Sequence, residues 1–474
     1  MTHLLKAINP RTGVSDYSFE AAGAEQVRET VDAARVAQKG WSGRGLEHRV
    51  RVMNLFADAL VTYGDAIRAA LTADTGRRKI SAEEVDAVFH MTHGHAANAP
   101  KILAEVSGPS SNVQDVDFVQ QYVAYGVVGV ISPWNFPLVL SFIDALPALL
   151  AGNTVVIKPS EVTPRFVDPL MAAIASIPEL AGVISIVRGG AETGQALIEN
   201  VDLIVFTGSI PTGRKIAEAA ARQLIPCFLE LGGKDAAIVL DGADLDRAAT
   251  SIVRSAVYNT GQVCYAIERV YADGQVYDEL VRKLQEKAEI LKPNFPDIAK
   301  GDIGPFIFPQ QAQIVSRQLQ DAVNKGARVV TGGELIAHEG GTWMGATVVT
   351  DVDHSMALMT EETFGPVIPV MRFSTEDQAV ELANDTVFGL SGAVFARDIE
   401  KGTEIASRMN AGGVSINDTE LPRAITLDAE KNAFGQSGIG GSRYGAATLL
   451  RYVRKKALIR NHGQVKPLTA LAEE

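Results

Sequence analysis

From about residue 122 the chain alternates short apolar runs with segments of helical period, and no other feature limits its fold as strongly. The runs 127–131, 154–157, 183–187 and 203–206 read as strands, and 138–150, 165–175, 191–198 and 212–221 read as helices. Strands that are apolar throughout and separated by helices pair in parallel, with both faces of the sheet covered. A second stretch of the same kind begins near Ala236. It places strands at 236–240, 270–272, 328–331, 367–373 and 392–395, and helices at 245–258, 276–290, 310–325, 376–383 and 399–407. Asp241 or Asp244 is the expected cap of the helix at 245. The predicted class is α/β, with two units joined by short segments. A length of 474 residues exceeds one ordinary core and agrees with two or three domains.

Two segments stand outside this rhythm. Residues 106–124 contain GPSSN and then alternate through Val116, Phe118 and Tyr122, which reads as a protruding hairpin. Residues 449–459 read as a C-terminal strand. Exposed strands need edge partners, so the chain is expected to oligomerise.

A net charge of −12 argues against nucleic acid or an anionic membrane as partner. Met1–Gly13 holds no apolar run, so no secretory signal is expected. The most apolar segment, 136–152, is short for a span and is interrupted by Asp144 and Pro147, so it reads as a buried helix. Two cysteines, Cys227 and Cys264, make no disulfide framework and point to a reducing cytoplasm. His90, His93 and His95 lie on a polar helical stretch that reads as a solvated face. No metal is expected.

Four sites carry chemistry. Cys264, in NTGQVC, follows a helix and precedes a strand, where a turn presents a thiol to a pocket. On the residues alone a structural role is equally open. Cys227, in the apolar IPCFLE, reads as a small core residue. Glu230 ends that strand before Leu231, Gly232, Gly233 and Lys234. It sits at a crevice or pairs with Lys234. Asn135, in PWNFP, either donates to an oxyanion or shapes a rigid turn. No G-x-G-x-x-G occurs, but FTGSIPTG (206–213) follows a strand and opens a helix, where backbone N–H groups suit a phosphate.

PWNFP, GNTVVIKPSE, FTGS, ELGGK, GQVC and EETFGPV occur in order across 124–367, flanked by INPRTG and FGQSGIGG. Together they resemble the aldehyde dehydrogenase superfamily. The resemblance implies a Rossmann-like cofactor domain (1–103 and 125–232), an α/β catalytic domain (233–446) and a small β oligomerisation domain (104–124 and 447–464). It implies a homodimer or homotetramer. Carried over motif by motif, Cys264 is the nucleophile and Glu230 the general base. Asn135 and the Cys264 backbone N–H form the oxyanion hole. Lys158 and Glu161 hold the adenosine ribose, and Ser209 contacts the pyrophosphate. Thr207 and Gly208 lie near the nicotinamide, whose ribose and ring meet Glu362 and Phe364. Trp134 and Leu231 complete the cofactor set.

The implied reaction is aldehyde oxidation through a Cys264 thioester that Glu230-activated water cleaves. Coenzyme A-acylating relatives often lack this glutamate, so hydrolysis is favoured and acylation is the alternative. Glu161 repels a 2′-phosphate, so NAD is preferred, with NADP as the alternative. Many relatives carry a lysine beyond PWNFP and an Arg-Glu pair near the C-terminal SG-x-G; here those positions read as Asp144 and Gly441-Ser442. A proton relay through that lysine and glutamate is therefore absent or rebuilt. Glu268 is a candidate substitute acid, though a pair with Arg269 or another structural role is favoured. Phe136, Leu140, Ile143, Val263 and Tyr265 are expected to line the substrate tunnel with the loop 418–427. Their apolar character suits an aromatic or medium aliphatic aldehyde. Arg423 is expected to face solvent; facing inward, it suits a semialdehyde such as succinate semialdehyde.

Overall fold

The structure, a computed structural model, describes residues 3–471 and residue 473; the first two residues of the Met1–Gly13 segment lie outside it. Val127–Ile131, Thr154–Lys158 and Leu203–Thr207 are buried at every position, as uninterrupted apolar runs require. They sit at the centre of a six-stranded sheet ordered Gly438–Ile439, Cys227–Glu230, Leu203–Thr207, Val127–Ile131, Thr154–Lys158, Ile184–Ile186. Its pairs are parallel except at the short outer strand Gly438–Ile439. One face packs on Gly45–Thr62, Arg78–Ile102, Val139–Leu150 and Val167–Ala175 around Phe56, Phe142 and Phe166. The other packs on Ala24–Gly43, Ala191–Asn200 and Ile210–Gln223 around Val27, Leu197 and Ile216.

The chain leaves Val127–Ile131 toward one side and Leu203–Thr207 toward the other. Their carboxyl ends thus bound the crevice where open α/β sheets take ligands. The second sheet has seven strands, ordered Arg328–Thr331, Thr347–Thr350, Val367–Phe373, Ile267–Asp273, Asp235–Val239, Gly392–Phe395, Val414–Ile416. Asp244, not Asp241, caps Leu245–Val257; its carboxylate accepts the Asp246 and Arg247 N–H groups at 3.1 Å. Val106–Pro109 and Val116–Ala124 form the expected hairpin. Val453–Asn461 extends it to three strands, with Val453 opposite Ala124 and Asn461 opposite Val116. The C-terminal strand starts later than the pattern predicts because Ala447–Leu450 is a helical turn that buries Leu449.

The apolar segment at 136–152 is the core helix Val139–Leu150, and among the described residues no helix is long and apolar enough to cross a membrane. The histidine cluster corrects one expectation. Arg78–Ile102 packs against both Gly45–Thr62 and Val139–Leu150, so His95 points inward and is buried. Burial pushes its imidazole down to about 4, which keeps it neutral. No group of metal-ligating side chains occurs among the described residues. Cys227 is half-buried at the sheet margin, not fully in the core.

Candidate active site

A cleft of about 650 Å³ opens at the carboxyl ends of Val127–Ile131 and Leu203–Thr207. Trp134, Asn135, Leu140, Lys158, Glu161, Thr207, Gly208, Ser209, Glu230, Leu231, Cys264, Glu362 and Phe364 all line it. The three residues assigned to chemistry and all nine assigned to the cofactor therefore share one space.

Cys264 sits in the turn before Ile267–Asp273, and that turn is strained. Asn259 (φ 55°) and Thr260 (φ 60°) occupy the left-handed region without being glycine. Hydrogen bonds hold them there. Asn259 Nδ2 donates to the carbonyls of Asn135 and Gln262, each at 3.1 Å, and Thr260 Oγ1 donates to the Gly304 carbonyl at 3.0 Å. Asn135 Nδ2 donates to the Gln262 carbonyl at 2.9 Å. That uses one of its two amide hydrogens and leaves the second for a ligand. The Cys264 N–H makes no hydrogen bond among the described residues, so two donors remain for an oxyanion. Burial, helped by nearby Glu362 and Asp235, pushes the Cys264 thiol up to about 12.

The Gly-Gly pair after Glu230 is a packing requirement. A Cβ on Gly232 would lie 2.6 Å from the Glu362 carboxylate, and one on Gly233 would overlap the Cys264 carbonyl. The cofactor and catalytic segments approach closely enough there to exclude any side chain.

Glu230 does not pair with Lys234. Its Oε1 lies 3.6 Å from Arg443 Nε and 3.7 Å from Arg451 Nη1. Both guanidiniums bind the buried Asp144: Arg443 Nη2 at 2.6 Å from Oδ2, and Arg451 Nη2 at 2.8 Å from Oδ1. The Tyr452 hydroxyl donates to Asp144 Oδ1 at 2.8 Å. Burial alone would raise Asp144, but Arg443 and Arg451 hold its carboxyl below the usual range. Arg443 also donates to Thr207 Oγ1. Ser442 serves the loop, accepting the N–H groups of Lys431 at 3.1 Å and Tyr444 at 2.9 Å. Asp144 was legible in the sequence. Arg443, Arg451 and Tyr452 were not, because only the fold brings the C-terminal segment against Val139–Leu150.

The rest of the cleft fits a dinucleotide. Ile210–Gln223 begins at its wall, and Ser209 caps no backbone N–H; its hydroxyl donates to Thr212 Oγ1 at 3.1 Å. The first-turn N–H groups are thus left for an anion. Lys158 Nζ lies 3.3 Å from Glu161 Oε2. Trp134 meets Phe364 edge-on, with ring centroids 5.5 Å apart.

Glu268 is structural, and its partner is Lys234, not Arg269. Lys234 Nζ donates to Glu268 Oε2 at 2.8 Å and to Thr363 Oγ1 at 2.7 Å. Glu268 accepts the Thr363 and Phe364 N–H groups at 2.8 and 2.7 Å. It thereby pins Phe364, another non-glycine residue at positive φ (53°), beside Glu362. Arg269 donates to backbone carbonyls, including Lys234 and Ala383 at 2.9 Å.

Among the expected tunnel residues, Leu140 lines the cleft itself. Phe136 stacks on Tyr258 at 6.0 Å, and the buried Arg77 lies over its ring while holding the Asn135 carbonyl at 3.1 Å. Arg423 is exposed, as expected, but it is held against aromatic rings. Its guanidinium lies 5.0 Å from the Tyr265 ring centre and 5.1 Å from that of Tyr258, and Nε donates to the Tyr265 hydroxyl at 2.6 Å. Cation–π contact with two rings holds it against the aromatic cluster. Val263 is buried, and Ile143 is half-buried on its helix. Tyr258 and Arg77 carried no sequence signal; both reach the site from segments outside the motifs.

The sequence profile of the aldehyde dehydrogenase family matches residues 2–458. A Mycolicibacterium smegmatis protein, provisionally named an NADP(+) succinate-semialdehyde dehydrogenase, is 36% identical over 94% of this chain and 87% of its own length. The 2-hydroxymuconic semialdehyde dehydrogenase of a Pseudomonas strain is 36% identical, with 91% of each chain covered. The solved structure of PutA from Anabaena variabilis, provisionally named an aldehyde dehydrogenase, is 44% identical, covers 98% of this chain and 99% of its own, and superposes with a TM-score of 0.96. The chain belongs to the aldehyde dehydrogenase family and oxidises an aldehyde to a carboxylic acid with NAD(P).

Proposed function

We propose that this enzyme is a hydrolytic semialdehyde dehydrogenase whose substrate carries a carboxylate at the end remote from the aldehyde. Cys264 attacks the aldehyde carbon, and Asn135 Nδ2 with the Cys264 N–H receives the oxyanion. A nicotinamide bound in the cleft supplies the hydride acceptor that turns this adduct into a thioester. Glu230 then takes a proton from the water that releases the acid. Glu230 favours water over coenzyme A as the acyl acceptor.

Arg423 carries the substrate reading. It sits against Tyr265, next in sequence to the nucleophile, and makes no ion pair among the described residues. A carboxylate reaching the aromatic cluster would meet a preplaced guanidinium. The named semialdehyde activities of the two relatives fit such a substrate. Arg423→Met is expected to lower kcat/KM for succinate semialdehyde about 10- to 100-fold, the worth of one charge-assisted hydrogen bond, and that for butanal less than about 2-fold. Equal losses on both substrates would refute the assignment.

The remaining assignments follow the same frame. Residues 1–103 and 125–232 bind the cofactor, 233–446 supply the catalytic face, and 104–124 with 447–464 mediate a homodimer or homotetramer. NAD is the preferred cofactor through Glu161. Two free thiols suit a reducing cytoplasm.

A further inference from the structure

The side chains around Glu230 form a charge-balanced quartet. Arg443 and Arg451 are two buried cations, and Asp144 is one buried anion. Asp144 alone leaves one of the two buried guanidiniums uncompensated. Glu230, 3.6 and 3.7 Å from these guanidiniums, closes the balance only while it is ionised. Neither arginine can pass a proton on, because a guanidinium does not deprotonate in proteins. The Glu230 side chain is 17% exposed, so it retains its own contact with water.

We propose that Arg443 and Arg451, locked by Asp144, are positioning residues that hold Glu230 as a carboxylate, and that Glu230 exchanges its proton directly with solvent. This rests on the hydrolytic reading above. In the step concerned, a water oxygen bonds to the thioester carbon and the C–S electron pair goes to Sγ. One water proton goes to Glu230 and from there to bulk water. The other ionisable or charged groups facing Glu230 are Cys264 across the cleft, Tyr444 on the C-terminal segment, and Glu362 beyond Gly232, while Tyr452 donates to Asp144. Thr207, from the neighbouring strand, adds only a neutral hydroxyl that Arg443 already engages.

The test isolates deacylation from cofactor chemistry. 4-Nitrophenyl acetate acetylates Cys264 with loss of 4-nitrophenolate. Decay of the acetyl-enzyme is then followed by intact mass from about pH 3.5 to about pH 9. In Arg443→Gln the acid limb of the decay rate is expected to move up by about one pH unit, a loss that reaches about ten-fold on the acid side of the wild-type limb and disappears in alkali. Arg443→Lys keeps the charge and restores the limb. Asp144→Asn leaves two guanidiniums facing Glu230 alone and moves the limb down. A merely structural cluster would lower the rate in all three without moving the limb, and that outcome overturns the proposal. Should Arg443→Gln not fold, the downward shift in Asp144→Asn decides alone, and an upward shift or none overturns the proposal. Glu230→Gln separates the two readings. Wild-type decay in that variant removes Glu230 as the base, whereas slow decay with an unmoved limb in Arg443→Gln refutes only the clamp.

Discussion

The chemistry is assigned to Cys264, yet its surroundings disfavour a thiolate. Burial, Glu362 and Asp235 together push the thiol up to about 12. The thiolate fraction then grows about ten-fold per pH unit across the neutral range, and alkylation should follow it. Iodoacetamide modification of Cys264, followed by peptide mass spectrometry, is expected to be slower than that of a free thiol near pH 7 and to rise about ten-fold per unit up to pH 9. Cys227, pushed up to about 11 by burial, is removed as Cys227→Ser so that it does not compete. A flat profile would show that the thiolate already exists at rest. The second prediction at this scale concerns Glu161, whose side chain is 48% exposed beside Lys158. A 2′-phosphate there would face a carboxylate, so Kd for NADP should exceed that for NAD by about 10-fold, and Glu161→Gln should narrow the gap. Tighter NADP binding by titration would reverse the preference. The motifs were enough to place Cys264, Glu230, Asn135 and the residues assigned to the cofactor in one cleft, because short segments at strand ends carry them. They missed Arg443, Arg451, Arg77 and Tyr258. A charged or aromatic residue without a period gives no sign of the segment it will fold against.

At the scale of elements, Glu268 shows how one buried carboxylate sets a loop. It ties the strand Ile267–Asp273 to Lys234 on one side and to the backbone of Thr363 and Phe364 on the other. Removing its charge leaves Lys234 buried and unpaired, which typically costs about 3–5 kcal/mol. Glu268→Gln is therefore expected to lower stability by that order in urea unfolding. It should also weaken cofactor binding several-fold, because the glutamine keeps one acceptor oxygen for the two N–H groups of Thr363 and Phe364 and holds the positive-φ backbone less firmly. Unchanged cofactor affinity in a destabilised variant would confine Glu268 to stability. The parallel strands were legible because their burial erases alternation, and most predicted ends fall within a few residues of those observed. Of the four helices between Ala24 and Ile102, only the stretch around residues 90–95 was read as helical. No strand alternates with them, so the rhythm that exposed the two sheets stops short of this region.

At the scale of the whole molecule, the C-terminal segment connects the proposed oligomer surface to Glu230, the proposed base. Val453–Asn461 is the outer strand of its three-stranded sheet, and eight of its nine residues are exposed. Ile459 is 73% exposed, beside a free row of backbone N–H and C=O groups. An edge that long, with Leu458 and Ile459 exposed among its four cations, calls for a second strand or a covering surface. Ile459→Asp is expected to raise the dissociation constant between subunits by about 10- to 100-fold, read by sedimentation velocity across a dilution series. A wild-type chain that sediments as a monomer would refute the surface outright. The same variant tests a longer reach. Arg451 stands two residues before this strand and touches both Asp144 and Glu230, while Glu230 itself pairs with Gly438 across the cofactor sheet. Loosening the strand frees Arg451 before it disturbs Lys158 or Ser209. Dissociated enzyme should therefore lose turnover more than cofactor affinity: kcat falls with dilution while Kd for NAD holds. Parallel losses would mean that dissociation unsettles the cofactor sheet as a whole, and that the C-terminal segment has no separate line to the base.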